Sequence, residues 1–193
     1  MISSFSALLP QRTSLPQHAS SKPQTMHLQG SCHCQRVRFS LSSPYPYPYN
    51  HCYCSICRKL GGSGGFGINI GGLRETLEVE GQEHIKVYRT QYRNAAGELV
   101  REGPGERHFC QNCGSHLWGW DPRWPEFVYP YAGAIDTPLP TPPERKHMML
   151  QFKASWVTVP DTPQDQPFEG YANETLAHWH DRHGFGDLGE SFP

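Results

Sequence analysis

The sequence predicts a mainly β domain, built of small antiparallel sheets, with one short helix near its C-terminus. Three observations carry that expectation. The 193 residues include 19 Gly and 18 Pro, a composition that favours short strands joined by turns over long helices. Short runs alternate apolar with polar or glycine positions, the period of half-buried strands. Only one late segment has helical spacing. A chain of this length buries roughly 70% of its unfolded surface, enough for a single core. The hydrophobic fraction, 36%, is modest for that size, so something besides core area must hold the fold.

Taken in order, residues 1–26 are Ser-rich, lack acids and carry two basic residues, Arg12 and Lys22. They are expected to form a disordered tail on a cytoplasmic protein, with organellar targeting as the alternative reading. The folded domain is expected over residues 27–160, followed by an extension over 161–193. Val37, Phe39 and Leu41 mark the first alternating strand. The "SPYPYPYN" stretch predicts an extended, ladder-poor path that brings Tyr45, Tyr47 and Tyr49 towards the cysteines, as a pocket wall or as packing. "GGSGGFGINIGG" reads as turn, strand and turn, because it lacks the fixed spacing of a phosphate-binding loop. "LEVEG" and "IKVYRT" are predicted strands, and "YRNAAGELVREGPGERHFC" a hairpin excursion. "HLWGW", "EFVYPYAGAI" and "MMLQFKASWVTV" supply the remaining strands, with a Pro-rich loop at "DTPLPTPPERKH". Asn173 is the predicted cap of the helix "ETLAHWHDRH", whose His178, His180 and His183 are expected to be solvated or to dock it.

Charge excludes some functions. The formal net charge of −1 argues against general nucleic-acid binding, which needs a clear basic excess. No run of 18 apolar residues exists, so no membrane-spanning helix is expected. Acids are absent before Glu75, while Arg36, Arg38, Arg58 and Lys59 flank the cysteines; they could offset thiolate charge or form a solvated basic face.

All seven cysteines fall into three clusters, "GSCHCQ", "NHCYCSIC" and "FCQNCG". The total is odd and no secretory signal is present, so metal ligation is favoured over disulfides. Cys110 and Cys113, spaced C-x2-C before Gly114, have the form of a zinc knuckle, and Cys32 with Cys34 offers a second close pair. Together they make a closed four-sulfur structural site. Cys52, Cys54 and Cys57 remain, and three thiolates leave a fourth position open, as in catalytic sites. Two Zn2+ per chain are therefore expected. His33, His51, His108 and His116 lie near the cysteines, and any of them could complete the second site. Arg58 and Lys59 are candidates for holding a substrate or cofactor carboxylate, and Asp136 and His147 for proton transfer.

"GSCHCQRVRF", "CYCSICRKLGG" and "RHFCQNCGSHLW", followed by "AGAID" and "ASWVTV", resemble the family of glutathione-dependent formaldehyde-activating enzymes, which includes centromere protein V. The resemblance spans about Leu28 to Trp156. It implies a β-tent fold around zinc, with structural Cys32, Cys34, Cys110 and Cys113 and a reactive ion at Cys52, Cys54 and Cys57. It also implies a carbon-sulfur lyase joining glutathione, or a similar thiol, to formaldehyde, or reversing that addition. The partner is then a small thiol or aldehyde, with no nucleic acid and no membrane. The alternatives are an enzyme of the same fold acting on an aromatic or specialised metabolite, and a zinc-stapled protein-binding module without turnover. The sequence departs from the usual pattern at Gln35, where glycine is common, at Tyr53, and in the Tyr-Pro run and C-terminal helix.

Overall fold

A computed structural model describes residues 25–61 and 63–184 of the chain. In chain order its elements are β1 (Met26–Ser31), β2 (Arg38–Ser43), β3 (Tyr45–Cys52), α1 (Ser55–Leu60), β4 (Gly67–Leu73), β5 (Glu78–Glu80), β6 (Ile85–Arg93), β7 (Leu99–Cys110), β8 (His116–Trp120), β9 (Phe127–Pro130), β10 (Arg145–Met148), β11 (Asp165–Pro167) and α2 (Leu176–Arg182). The expected tail, apart from its last two residues, lies outside the described residues, as does the end of the expected extension beyond 184.

The fold is mainly β. One antiparallel sheet has the order β1-β2-β5, and a larger one runs β11-β10-β3-β4-β9-β8-β7-β6. The large sheet is antiparallel except around β10, which pairs parallel with both β3 and β11. Alternation in β2 sends Phe39 and Leu41 inward, and Leu28 faces Leu41 across the β1–β2 ladder. These residues meet Ile70, Leu117, Trp118 and Val128 of the large sheet in one core, where Phe39 sets its ring edge-on to Trp118 at 5.3 Å. Each fully buried aliphatic side chain contributes roughly 1.5–3 kcal/mol. Gly30 sits opposite Phe39 and against the Ala134 carbonyl, and a Cβ there would collide with both.

The Tyr-Pro stretch is extended and ladder-poor as expected: it is part of strand β3, and its pairing with β4 jumps from Tyr45 to Asn50, where the prolines supply no ladder donors. Several other expectations need correction. The end of the expected Pro-rich loop, from Arg145, is β10, because it finds a parallel edge on β3. The expected strand over "MMLQFKASWVTV" does not form: Met149 turns left-handed at φ 62° and a 3-10 turn follows over Leu150–Phe152. A helix absent from the expectations, α1, starts inside the middle cysteine cluster.

The C-terminal helix is present, but Thr175 rather than Asn173 caps it, accepting the His178 N–H at 3.1 Å. It docks through Trp179, fully buried, whose indole N–H donates to Glu144 at 2.9 Å. Lys146 is buried beneath the helix and pairs with Glu174 at 2.9 Å, and Arg182 grips the same carboxylate at 2.8 Å. His180 has the docking role, stacked on Tyr47 with its Nε2 against the Tyr47 carbonyl at 2.6 Å.

Candidate metal centres

Two turns build the four-sulfur cluster. Between β1 and β2 the chain folds back on itself: Cys32 N–H donates to the Val37 carbonyl at 3.0 Å, and Val37 N–H points at Cys32 Sγ at 3.3 Å. Gln35 makes the reversal possible by adopting φ 61°, and its side-chain amide donates to Ser31 Oγ at 3.0 Å. At the end of β7, Gly114 takes φ 74° and its N–H donates to the Cys110 carbonyl at 2.8 Å, closing the C-x2-C knuckle. Ser115 ties the two turns together, its Oγ lying 3.2 Å from Cys113 Sγ and accepting the His33 N–H at 3.0 Å. Burial raises the Cys113 pKa, but the Ser115 hydroxyl and backbone N–H outweigh it and bring the thiol down to about 5. The four sulfurs, of Cys32, Cys34, Cys110 and Cys113, all lie within 4.8 Å of one another.

The trio forms at the join of β3 and α1. Cys52 ends the strand, Cys54 caps the helix by accepting the Cys57 N–H at 3.4 Å, and Cys57 is buried in its first turn. Their sulfurs also lie within 4.8 Å of one another. Among the described residues, no histidine, aspartate or glutamate atom joins either cluster. The Cys52 and Cys57 thiols, then the backbone N–H groups of Cys57 and Ile56, hold Cys54 far below the ordinary thiol range. All seven cysteines are free, and both donor sets fit a thiophilic ion such as zinc: one supplies four sulfurs, the other three.

The histidines play other parts. His51 stacks on Phe66 at 4.7 Å, and burial, with His147 and Arg145 nearby, lowers its pKa to about 4. Burial, reinforced by Arg107, brings His116 to about 4 as well, with its ring 3.8 Å from that of Tyr131. His108 stacks on Trp118 at 5.1 Å. His33 lines a groove of about 850 Å³.

That groove also takes in Arg58 and Lys59 at the end of α1, with Gln35, Asp136, His116 and Tyr131. The trio does not line it; Tyr131 stands between, its hydroxyl directed at Cys57 Sγ at 3.9 Å. Tyr47 and Tyr49 do not form a wall of it either. Tyr47 faces α2, and the Tyr49 hydroxyl donates to the Pro140 carbonyl at 2.7 Å.

His147, expected as a candidate for proton transfer, is wholly buried with both ring nitrogens engaged. Asp165 accepts its Nε2–H at 2.9 Å, and the Tyr53 hydroxyl donates to Nδ1 at 2.8 Å. Arg145 clasps Asp165 at 2.7 and 3.1 Å and holds its carboxyl well below the usual range, so the acid is an obligate acceptor and fixes the imidazole tautomer. The chain Arg145–Asp165–His147–Tyr53 therefore braces the residue between Cys52 and Cys54.

Sequence reasoning missed Arg107, Tyr131 and Asn69, which lie outside the elements that carry the trio. Asn69 Nδ2 lies 4.0 Å from Cys57 Sγ. Burial lowers the Arg107 pKa, but the charges of Tyr131, Cys57 and Cys54 outweigh it and raise it, so the guanidinium is electrostatically tied to the trio. The only available signal was an arginine two residues after Gly105, which by itself marks nothing.

The profile of the family described as "Glutathione-dependent formaldehyde-activating enzyme" matches residues 27–151. A protein of Halomonas elongata, provisionally named a glutathione-dependent formaldehyde-activating enzyme, is 52% identical over 159 residues, covering 82% of this chain and 98% of that one. The chain belongs to this family. A crystal structure of a Rhodobacter sphaeroides protein aligns with 58% of this family member and 91% of its own chain, at 22% identity and a TM-score of 0.42. Among the described residues no helix is long and apolar enough to cross a membrane.

Proposed function

We propose that the protein is a zinc-dependent carbon-sulfur lyase that forms or cleaves the adduct between a glutathione-like thiol and a small aldehyde such as formaldehyde. Family membership supports the activity class, and the name of the Halomonas relative supports the substrates. The single observation that carries the reading is the pairing of a complete four-sulfur set with a three-sulfur set to which, among the described residues, no fourth side chain contributes. Cys32, Cys34, Cys110 and Cys113 would hold the structural ion, and Cys52, Cys54 and Cys57 the reactive one. Zinc in a three-thiolate setting is a mild Lewis acid that lowers the pKa of a further thiol while leaving it nucleophilic.

The reaction balances without redox change. The thiol loses its proton, its sulfur bonds to the carbonyl carbon, and the carbonyl oxygen takes up a proton as the π pair moves onto it. Cleavage is the reverse. Tyr131, whose hydroxyl lies 3.9 Å from Cys57 Sγ, would hydrogen-bond the oxygen as charge develops there. Arg58 and Lys59 would hold a carboxylate of the thiol in the groove.

The test is metal analysis together with a turnover assay on formaldehyde and glutathione. Two zinc equivalents are expected in the unsubstituted protein. Cys54→Ala should abolish turnover, keep one equivalent and remain folded. Full turnover in Cys54→Ala would end this reading.

A further inference from the structure

We propose that Arg107 is the counter-charge of the Cys52–Cys54–Cys57 site and makes it select an anionic sulfur ligand, a thiolate, over a neutral ligand as the fourth donor. The inference rests on reading the trio as a metal site.

Burying a guanidinium is unfavourable unless a negative group answers it. Arg107 Nε is shielded from solvent and has no hydrogen-bond partner. None of the ion pairs among the described residues includes Arg107. Glu106 offers it only a backbone carbonyl, 2.9 Å from Nη1, while the Glu106 carboxylate pairs with Arg89 at 2.9 Å. Asp121, the acid that senses it, is clasped by Arg123 at 2.7 and 2.9 Å. The charges that act most strongly on the guanidinium are those of Tyr131, Cys57 and Cys54.

The fold makes room for this side chain. Arg107 on β7 is paired with Gly119 on β8, so nothing on the partner strand covers its stem. A Cβ at Gly119 would stand 3.2 Å from Nη1, and one at Gly105 would stand 3.4 Å away. Two strands thus leave the arginine a slot beside Gly105 and Gly119.

Charge arithmetic gives the slot a purpose. Three thiolates around a divalent ion carry a net charge of −1, which Arg107 cancels. A fourth thiolate then brings the enclosed site to −1 instead of −2, whereas a neutral ligand such as imidazole leaves the total unchanged. Arg107 should therefore favour thiolate over imidazole by about tenfold or more, the scale of one unit charge acting across a few ångströms of partly screened protein.

The experiment loads the full chain with Co2+ and titrates it with 2-mercaptoethanol or imidazole, following the near-ultraviolet sulfur-to-cobalt absorption and the visible ligand-field bands. This thiol carries no carboxylate, so direct ion pairing with Arg107 cannot imitate charge compensation. Arg107→Met and Arg107→Gln are expected to weaken thiol binding about tenfold, leave imidazole binding within twofold, and keep two cobalt equivalents; Arg107→Lys should restore most of the preference. Equal weakening of both ligands would make Arg107 a packing residue and overturn the proposal. Two cobalt equivalents with unchanged thiol affinity in Arg107→Met would overturn it while sparing the metal reading. A single equivalent in the unsubstituted protein would overturn both.

Discussion

The two sulfur clusters use the same donor atom but differ in how far their support reaches along the chain. Around Cys32, Cys34, Cys110 and Cys113 the support is local: backbone N–H groups of two tight turns, and Ser115 from the knuckle itself. Around Cys52, Cys54 and Cys57 the local N–H groups of Ile56 and Cys57 are joined by imported support, with Asn69 from β4, Arg107 from β7, Tyr131 beyond β9 and the His147–Asp165 pair from β10 and β11. The first cluster ties residue 32 to residue 113 across the fold; the second spans only residues 52 to 57. One arrangement joins distant chain segments, and the other concentrates side chains from the whole sheet on a point. On the proposed reading the first is a staple and the second the reaction site.

The largest expected effect tests that division directly. Cys113→Ala removes one donor from the cluster that closes the long loop, and structural zinc binding is worth roughly 10–16 kcal/mol, as large as the whole stability of a typical domain. It should leave the chain unfolded at 25 °C by circular dichroism. Cys54→Ala closes no long loop, and the entropy difference between the two closures alone is about 2.5 kcal/mol. Its melting temperature is expected to fall by only a few degrees, about 2–4 °C per kcal/mol at this chain length. If the two variants melt alike, the comparison fails.

Metal removal should sharpen the same contrast. With a chelator added in steps, the ion on three donors is expected to leave first, with the circular dichroism spectrum unchanged. The second equivalent should come away only as the strand signal collapses. Simultaneous loss of both ions with unfolding would mean that the trio also holds the sheet.

How far each cluster was legible follows from the same difference. Cys32, Cys34, Cys110 and Cys113 announce themselves because their geometry lies in two spacings and a glycine at position 114, all local in sequence. The grouping of Cys52, Cys54 and Cys57 was legible for that reason too. Arg107, Tyr131 and Asn69 were not, since nothing local distinguishes an arginine or tyrosine that meets a sulfur from one that packs on a neighbour. Strand alternation gave β2, β4 and β8. It failed at β10, whose existence depends on an edge offered by β3, and at α1, whose cap Cys54 and third residue Cys57 were read as ligands and not as a helix start.

A smaller effect probes the imported support. Tyr53→Phe removes the donor to His147 Nδ1 and leaves a buried acceptor unpaired, a loss of roughly 1–3 kcal/mol. Because the brace ends between Cys52 and Cys54, the variant should release the trio's ion at lower chelator concentration, with the other equivalent retained. Metal analysis across a chelator series reads this, and loss of both ions in parallel would assign Tyr53 to general packing.

The smallest effect concerns the local support. Gln35 occupies the left-handed region at φ 61°, where a Cβ raises the energy by roughly 1–2 kcal/mol, and it recovers part of that through hydrogen bonds to Ser31 Oγ and the Cys32 carbonyl at 3.0 and 3.3 Å. Gln35→Gly relieves the backbone, forfeits exposed hydrogen bonds and loosens the unfolded chain, so the net gain should be about 0.5 kcal/mol, a rise of roughly 1–2 °C in melting temperature. Gln35→Ala keeps the strain and loses the bonds, so it should melt lower than the parent. Opposite signs for these two substitutions would place the stability of the four-sulfur turn in its backbone; if both lower the melting temperature alike, the glutamine side chain is what holds the turn, and the cluster's support is less local than its geometry implies.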